Sequence, residues 1–359
     1  MKRTRIARFS VVAAAVTAGL LSPGTAGAVP GPNTLQEVVT AVGAGTTFEV
    51  TSAIFAAANG SPANTDPDTY VNVPPVLAPG QTFPVPGDLF DPGAIYRSAN
   101  PPPNGAIAGY HALIDSAAGG NGAIEVARSD FPRTFSDPST FEFYGFARDA
   151  VSWAASSTGA GAGVTLTRTQ LRGIYDGTIT NWNQVGGTNA PIAVYLPQTG
   201  SGTLAYFVNI VLGFDPTTKP VSVKRYQEND ATTIPAADRP AAIALYSVAQ
   251  WVAQGNGVVN DKRAGFFEGT LTGAGSDGAP VSGTAPNYAP AYTDGFLGGR
   301  GIYHVIDTRS PSYEAALNAI GFDLNGPSPL CGGRYAHILT QHGFKPLPPG
   351  PGGVTCTRS

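Results

Sequence analysis

The apolar run Ile192–Leu196 leads into Gln198-Thr199-Gly200-Ser201-Gly202-Thr203, and Leu204, Phe207, Val208 and Val211 follow at helical spacing until Gly213. A strand, a glycine-rich turn and a helix in that order constrain the chain more than any other feature. The two glycines allow a positive φ and close backbone approach, and the helix start points free N–H groups into the turn. The same alternation recurs. Ile107–Ala117 reads as a helix, and Ala123–Ala127, Phe141–Ala147 and Val151–Ala155 read as strands. Thr167 caps a helix in which Gln170 completes a capping box and Gly177 is the stop. Ala241–Val248, opened by Pro240, reads as a strand and Ala249–Gln254 as a short helix. Further helices are read from Ser310-Pro311 to Ala319 and over Arg334–His342. Strands alternating with helices predict α/β lobes around parallel or mixed sheets.

At the start of the mature chain, Leu35, Val38, Val39 and Val42 fall at i, i+3, i+4 and i+7 and predict a helix over about 34–44. Asn33 and Thr34 stand as its caps, with Gln36 and Glu37 at capping-box distance. Phe48–Phe55 reads as a strand or a short mixed segment. Residues 60–104 hold eleven prolines and a single basic residue, Arg97, without sustained periodicity. They read as a surface arm, ordered or partly ordered, rather than a domain.

Lys2, Arg3, Arg5 and Arg8 precede the apolar stretch Val11–Leu21 and the small residues Ala26-Gly27-Ala28. That sequence of parts is a secretory signal, with cleavage expected after Ala28 and no cysteine there to carry a lipid. No later stretch is apolar enough to span a bilayer, so a secreted or otherwise extracytoplasmic protein is expected. The net charge of −3 becomes about −7 once the four signal cations are removed, which argues against a nucleic-acid partner. The only cysteines, Cys331 and Cys356, are read as a disulfide stapling the C-terminal tail.

The Gly200–Thr203 turn admits two readings from chemistry alone. Its backbone N–H groups and the hydroxyls of Ser201 and Thr203 suit an oxyanion, yet Gly, Ser and Thr are also ordinary helix-capping residues. Other chemistries find less support. Ser201 lacks the Gly-x-Ser-x-Gly elbow, and His111, His304, His337 and His342 form no metal-ligating pair on one helical face. Neither a Walker loop nor a dinucleotide fingerprint is present. Trp153, Trp182 and Trp251 read as core packing. Arg148 and Asp149 read as a structural ion pair, with ligand contact the other option.

The stretch Leu166-Thr-Arg-Thr-Gln-Leu-Arg-Gly-Ile-Tyr-Asp-Gly-Thr-Ile-Thr-Asn-Trp-Asn183, followed by Gly200-Ser-Gly-Thr203, resembles the periplasmic phosphate-binding protein family. Asn33-Thr34 resembles that family's first hydroxyl-bearing loop, and Arg128-Ser129-Asp130 its loop in which the serine donates and the aspartate accepts from a protonated oxyanion. Glu228-Asn229-Asp230 resembles the asparagine before the last helix of the second lobe. The resemblance covers about residues 31–55 and 105–255. It implies a type II periplasmic-binding fold with two α/β lobes: 29–146 with 248–359, and an inserted 147–247. Strands near Phe141–Ala147 and Ile243–Ser247 would form the hinge. It also implies capture of a small oxyanion, phosphate above all, for an ABC-transporter permease, by a monomer without cofactor or catalytic residues.

The implied ligand set is Thr34, Arg128, Ser129, Asp130, Gln198, Gly200, Ser201, Gly202 and Thr203. Two departures bear on it. The family carries Arg three residues before the first loop glycine and Asp one before; here Pro197 and Thr199 stand there. Gln198 and Arg128 are the candidates to replace the missing guanidinium, and another oxyanion or a polar organic ligand stays open. The alternatives are a secreted cell-surface interaction protein on the same fold, using the 60–104 arm, and a phosphatase-type hydrolase.

Overall fold

The computed structural model describes residues 37–60, 68–88, 93–119, 123–134, 136–273, 278–322, 328–331, 333–350 and 356. The secretory signal and Thr34 lie outside them. Ten strands form the main sheet: β1 (Val38–Gly43), β2 (Thr69–Asn72), β3 (Val126–Ser129), β4 (Phe141–Ser156), β5 (Ala193–Pro197), β6 (Val223–Tyr226), β7 (Ala242–Ser247), β8 (Phe266–Glu268), β9 (Gly299–Asp307) and β10 (Lys345–Pro346). Their order is β2-β1-β3-β9-β4-β7-β5-β6, and β8 and β10 also pair with β4. β1 runs parallel to β2 and β3, and β5 parallel to β6 and β7, whereas β9 and β7 flank β4 in antiparallel pairing. This is the mixed α/β arrangement of the type II periplasmic-binding fold.

The helices are α1 (Phe48–Asn59), α2 (Ala106–Ala117), α3 (Arg168–Asp176), α4 (Gly202–Tyr206, continued as a π-helix over Phe207–Leu212), α5 (Val248–Gly255), α6 (Tyr313–Ala319) and α7 (Ala336–Gln341). Among the described residues, none is long and apolar enough to cross a membrane. α3 begins at the full Thr167–Gln170 capping box and ends at Gly177 in the left-handed conformation.

The helix expected over 34–44 is instead strand β1, with all six residues buried. A strand covered on both faces is apolar throughout, and in a short run that pattern is indistinguishable from one face of a helix. The β-branched valines decide for the strand. Phe48–Phe55, read as a strand or mixed segment, is α1. It packs Val50, Ile54, Phe55 and Ala58 inward, with the three alanines Ala56–Ala58 supplying helix propensity. Phe141–Ala147 and Val151–Ala155 are not two strands but one 16-residue strand, β4.

β4 runs through the interior of both halves. Phe146 and Ala147 belong to a core with Val39, Ile54, Ile302 and Leu339; Ala150, Val151 and Trp153 belong to a second with Leu171, Tyr195, Phe207 and Leu245. α5 straddles the two, since Ala249 packs in the first and Val252 in the second. β7, read as a hinge strand, lies in the second core throughout Ala242–Tyr246. Residues 266–296, placed by sequence in the first lobe, contribute Phe266, Leu271, Tyr292 and Phe296 to the second core. The indole N–H groups of Trp153, Trp182 and Trp251 all donate to backbone carbonyls, so these rings are packing elements.

The proline-rich stretch is more than a surface arm. Its residues Thr69–Asn72 form β2 beside β1, and Val73, Val85 and Tyr96 are buried. Helix α2 approaches β1 closely because both contribute glycine: a Cβ on Gly109 would lie 2.3 Å from the Gly43 Cα.

Cys331 and Cys356 are joined, 25 residues apart, and both are buried in the first core. Closing a loop of that length restricts the unfolded chain by about 3 kcal/mol. The double variant C331S/C356S is therefore expected to unfold at lower denaturant, with stability reduced by about that amount. Reduction of the wild type should reproduce the shift in an equilibrium urea titration followed by tryptophan fluorescence.

Candidate functional site

Two glycine-rich turns, each between a strand and a helix, meet here. Ala44–Thr47 connects β1 to α1, and Gln198–Ser201 connects β5 to α4. The second turn is docked on the first half of the molecule. Gly200, at φ +91°, accepts a bond through its carbonyl from the Ile107 N–H at the start of α2. Gly105 packs so tightly there that a Cβ would lie 2.2 Å from the Gly200 oxygen. Ser201 caps α4 by accepting from the Leu204 N–H at 3.0 Å, which leaves its own proton to donate.

At the meeting point Thr203 is fully buried. Its Oγ1 lies 3.3 Å from Asp130 Oδ2 and 3.4 Å from Thr46 Oγ1, and it donates to Glu228 Oε1. Thr46 also donates to Glu228 Oε1, at 3.0 Å, and accepts from Asn229 Nδ2 at 3.2 Å. Asn229 has φ +58°, a conformation asparagine tolerates better than most residues. Its Oδ1 accepts from the Ser247 N–H at the end of β7.

The cation of the site is Arg300, on β9 and almost wholly buried. Its Nη1 is 2.9 Å from Asp130 Oδ2, while Nε and Nη2 donate to Asp149 Oδ2 at 3.2 and 2.9 Å. The Nη1 contact with Asp130 is close but not aligned as a hydrogen bond, so Nη1 has no hydrogen-bond partner; nor have Asp130 Oδ1 and Glu228 Oε2. Asp149, on β4, also accepts from Ser247 Oγ at 2.8 Å and from the Ala249 N–H at 3.0 Å. One guanidinium thus serves a buried cluster holding three carboxyls: Asp130, Asp149 and Glu228.

Burial, followed by the charge of Asp130, pushes the Glu228 carboxyl above its ordinary range. Burial raises Asp130 too, opposed by Arg300. Of the two, Asp130 has the guanidinium at hand to hold it ionised, whereas Glu228 has chiefly hydroxyls. Glu228 is therefore the group that keeps a proton more readily.

The residues expected from sequence divide sharply. Asp130, Gly200, Ser201, Gly202 and Thr203 come together at this point. A Cβ on Gly202 would lie 1.6 Å from Asp130 Oδ1, so only glycine lets α4 start so close to the carboxylate. Ser129 is adjacent, but its hydroxyl donates to the Phe131 carbonyl at 3.1 Å in a local turn. Gln198 bridges backbone and side chain, donating to Asn104 Oδ1 at 3.0 Å and accepting from the Glu228 N–H at 2.8 Å.

Arg128 is not available to a ligand. It is fully buried, and its guanidinium donates to the carbonyls of Ala41, Gly43, Ala44 and Val73 and to Asn72 Oδ1. Those bonds use all five N–H groups that an arginine has. Its role is to fasten β3 to the ends of β1 and β2. Arg148 and Asp149 do not pair with each other either: Arg148 bonds Asp294, and Asp149 bonds Arg300. Neighbours on a strand face opposite sides.

Sequence reasoning missed Thr46 and Arg300. Gly43-Ala44-Gly45-Thr46-Thr47 after an apolar run is the same strand–turn–helix signature as the second turn, obscured by the helical reading of β1. Arg300 stands in Gly298-Gly299-Arg300-Gly301, where glycines on both sides of an arginine were the available signal. Beside the cluster lies a cleft of about 420 Å³, lined by Gly45, Glu49, Pro74–Pro79, Glu228, Asn229 and Lys262 among others.

Residues 112–319 match the model of the PBP superfamily domain family. Among solved structures, the chain is similar to one from Clostridium perfringens assigned as a phosphate ABC transporter substrate-binding protein and holding phosphate. That likeness has 16% identity and a TM-score of 0.56, over 87% of this chain and 100% of that one. It is also similar to an ABC-type phosphate transport receptor from Vibrio cholerae, at 17% identity and a TM-score of 0.51, over 86% and 99%. A phosphate-binding protein from Stenotrophomonas maltophilia matches at 14% identity and a TM-score of 0.50, over 87% and 91%. At such identities the likeness is one of fold.

Arg128 holds three strand ends together with its five donors. Arg128→Lys keeps the charge but loses the fork that reaches five acceptors. It is expected to cost about 3 kcal/mol or more, since buried carbonyls lose their partners. Urea unfolding measures it; full stability combined with lost ligand affinity would count against this role.

Proposed function

We propose that this chain, which belongs to the PBP superfamily, is a solute-binding protein that takes a small oxyanion, phosphate foremost, at the Thr46–Asp130–Thr203–Arg300 cluster. The observation that carries the reading is the meeting of the Thr46 and Thr203 hydroxyls, from two strand–turn–helix units, beside Asp130, whose Oδ2 lies 2.9 Å from Arg300 Nη1, a buried guanidinium nitrogen with no hydrogen-bond partner. Arg300 takes over from β9 the part that Pro197 leaves vacant in the second turn. A guanidinium offers an oxyanion charge-assisted bonds that no neutral side chain equals. Asp130 adds an acceptor for a proton on the ligand, so a protonated oxyanion suits the site better than a fully deprotonated one such as sulfate.

The names of the structural neighbours, phosphate-binding proteins of ABC transporters, support the same ligand and a transport role. On this reading the chain is exported through the signal at 1–28, is cleaved after Ala28, and hands its ligand to a permease. Ser201 and the Gly200–Gly202 backbone complete the cradle. The reading makes the protein a receptor and not a catalyst.

Calorimetry with inorganic phosphate on the purified mature chain is expected to give micromolar or tighter affinity. Thr203→Val, which preserves shape but removes the hydroxyl, is expected to weaken binding about 10- to 100-fold, the worth of one hydrogen bond to a charged group. Binding of a different oxyanion with no phosphate heat would move the ligand assignment and leave the site in place. Turnover of a chromogenic phosphate ester would refute the non-catalytic reading.

A further inference from the structure

Resting on the oxyanion-binding reading, the geometry points to Glu228 as an internal occupant of the anion cradle, a specificity-determining carboxyl that an incoming oxyanion must displace. Thr46 from the first turn and Thr203 from the second both donate to the same oxygen, Glu228 Oε1. Those are the donors that the two units would otherwise direct at a bound anion. Glu228 is held there from behind: its N–H is fixed by Gln198 Oε1, and the next residue, Asn229, is locked by Ser247 and by Tyr246 Oη, which donates to the Asn229 carbonyl. The carboxyl is thus built into the cradle and not a side chain that strays into it. Its second oxygen, Oε2, is buried without a partner.

The charges around Glu228 come from every side of the cluster. Asp130 lies beyond the shared Thr203 hydroxyl, and Arg300 lies beyond Asp130 on β9. Across the adjoining cleft stand Glu49 on α1, Asp230, and Lys262, which pairs with Asp230 at 3.5 Å. Carboxyls outnumber cations in this set, so an ionised Glu228 opposes a second anion by charge as well as by taking the two hydroxyls. Protonation of Glu228 removes the charge, and the direction of its titration agrees with such a switch, since burial and Asp130 favour the neutral form. The cradle then accepts an external oxyanion more readily on the acid side of the Glu228 titration than on the alkaline side.

The experiment measures phosphate dissociation constants for the wild type, Glu228→Gln and Glu228→Ala by calorimetry at about pH 5.5 and about pH 8.5. The Gln variant keeps the shape and removes the charge; the Ala variant also frees both hydroxyls. At the higher pH both variants are expected to bind at least about tenfold more tightly than the wild type. The ratio of wild-type to Glu228→Gln dissociation constants is expected to fall toward one at the lower pH, and that for Glu228→Ala to fall as well but to stay above one; because each is a ratio, phosphate's own ionisation cancels from it. Should the wild type bind phosphate while both variants bind no better, or more weakly, Glu228 is part of the ligand's coordination and the inference is wrong. Should neither the wild type nor a variant bind any phosphate, the oxyanion reading itself falls, and this inference with it. If one variant fails to fold, the other supplies the ratio, and a ratio that does not fall from the higher pH to the lower overturns the proposal.

Discussion

Asp149 is the point on which the two halves of the molecule are aligned. It sits on β4 between Ala147, in the first core, and Ala150, in the second, and it is fully buried. A buried carboxylate is costly unless its oxygens are answered. Here β9 answers with the Arg300 fork, the end of β7 with the Ser247 hydroxyl, and the first turn of α5 with the Ala249 N–H. Three segments that pass near the boundary between cores are therefore tied to one side chain on a fourth. Replacing such a pair by apolar groups often costs little, whereas removing one partner strands a charge. The arrangement is better understood as fixing where Arg300 points than as a source of stability. With two of its nitrogens committed to Asp149, Arg300 has only Nη1 to direct at Asp130 and the cradle.

The sequence displayed what is local. The Thr167–Gln170 capping box, the Gly177 stop, the Ser201 cap before α4 and the start of α5 follow from rules that act within a few residues, and the structure follows them. β1 failed the same treatment because Val38, Val39 and Val42 fit one face of a helix and equally a strand covered on both faces. What selects the strand is coverage by α1 and α2 and pairing with β2 and β3, and none of these is local. Arg128 was misread for a related reason. Its position before Ser129 and Asp130 suggested ligand contact, but the carbonyls that consume its donors belong to Ala41, Gly43 and Ala44, which reach it only because β1 lies parallel to β3. Arg300 was invisible because 170 residues separate it from Asp130. Only the antiparallel placement of β9 between β3 and β4 brings it to the cluster.

The site is thus a hydroxyl cradle set among acids, in a chain whose formal charge is itself negative. The net charge supplies no long-range attraction for an anion, since steering depends on the sign of the surrounding field. If the cluster is the anion site, as proposed, affinity has to be generated over the last few ångströms, from Arg300 Nη1, the Thr46, Ser201 and Thr203 hydroxyls and the N–H groups of the second turn. Such short-range donors act in a desolvated setting, where each is worth more than it would be in water. Asp130 and Glu228 set the opposing demand, since neither tolerates a bare anion beside it. An oxyanion that carries its own proton answers Asp130, and a proton taken up by Glu228, or its displacement, removes the other objection. On the proposed reading, anion binding in this cluster is coupled to protons. Discrimination among oxyanions would then follow from how many acidic protons each brings, more than from the size of the cleft beside the cluster.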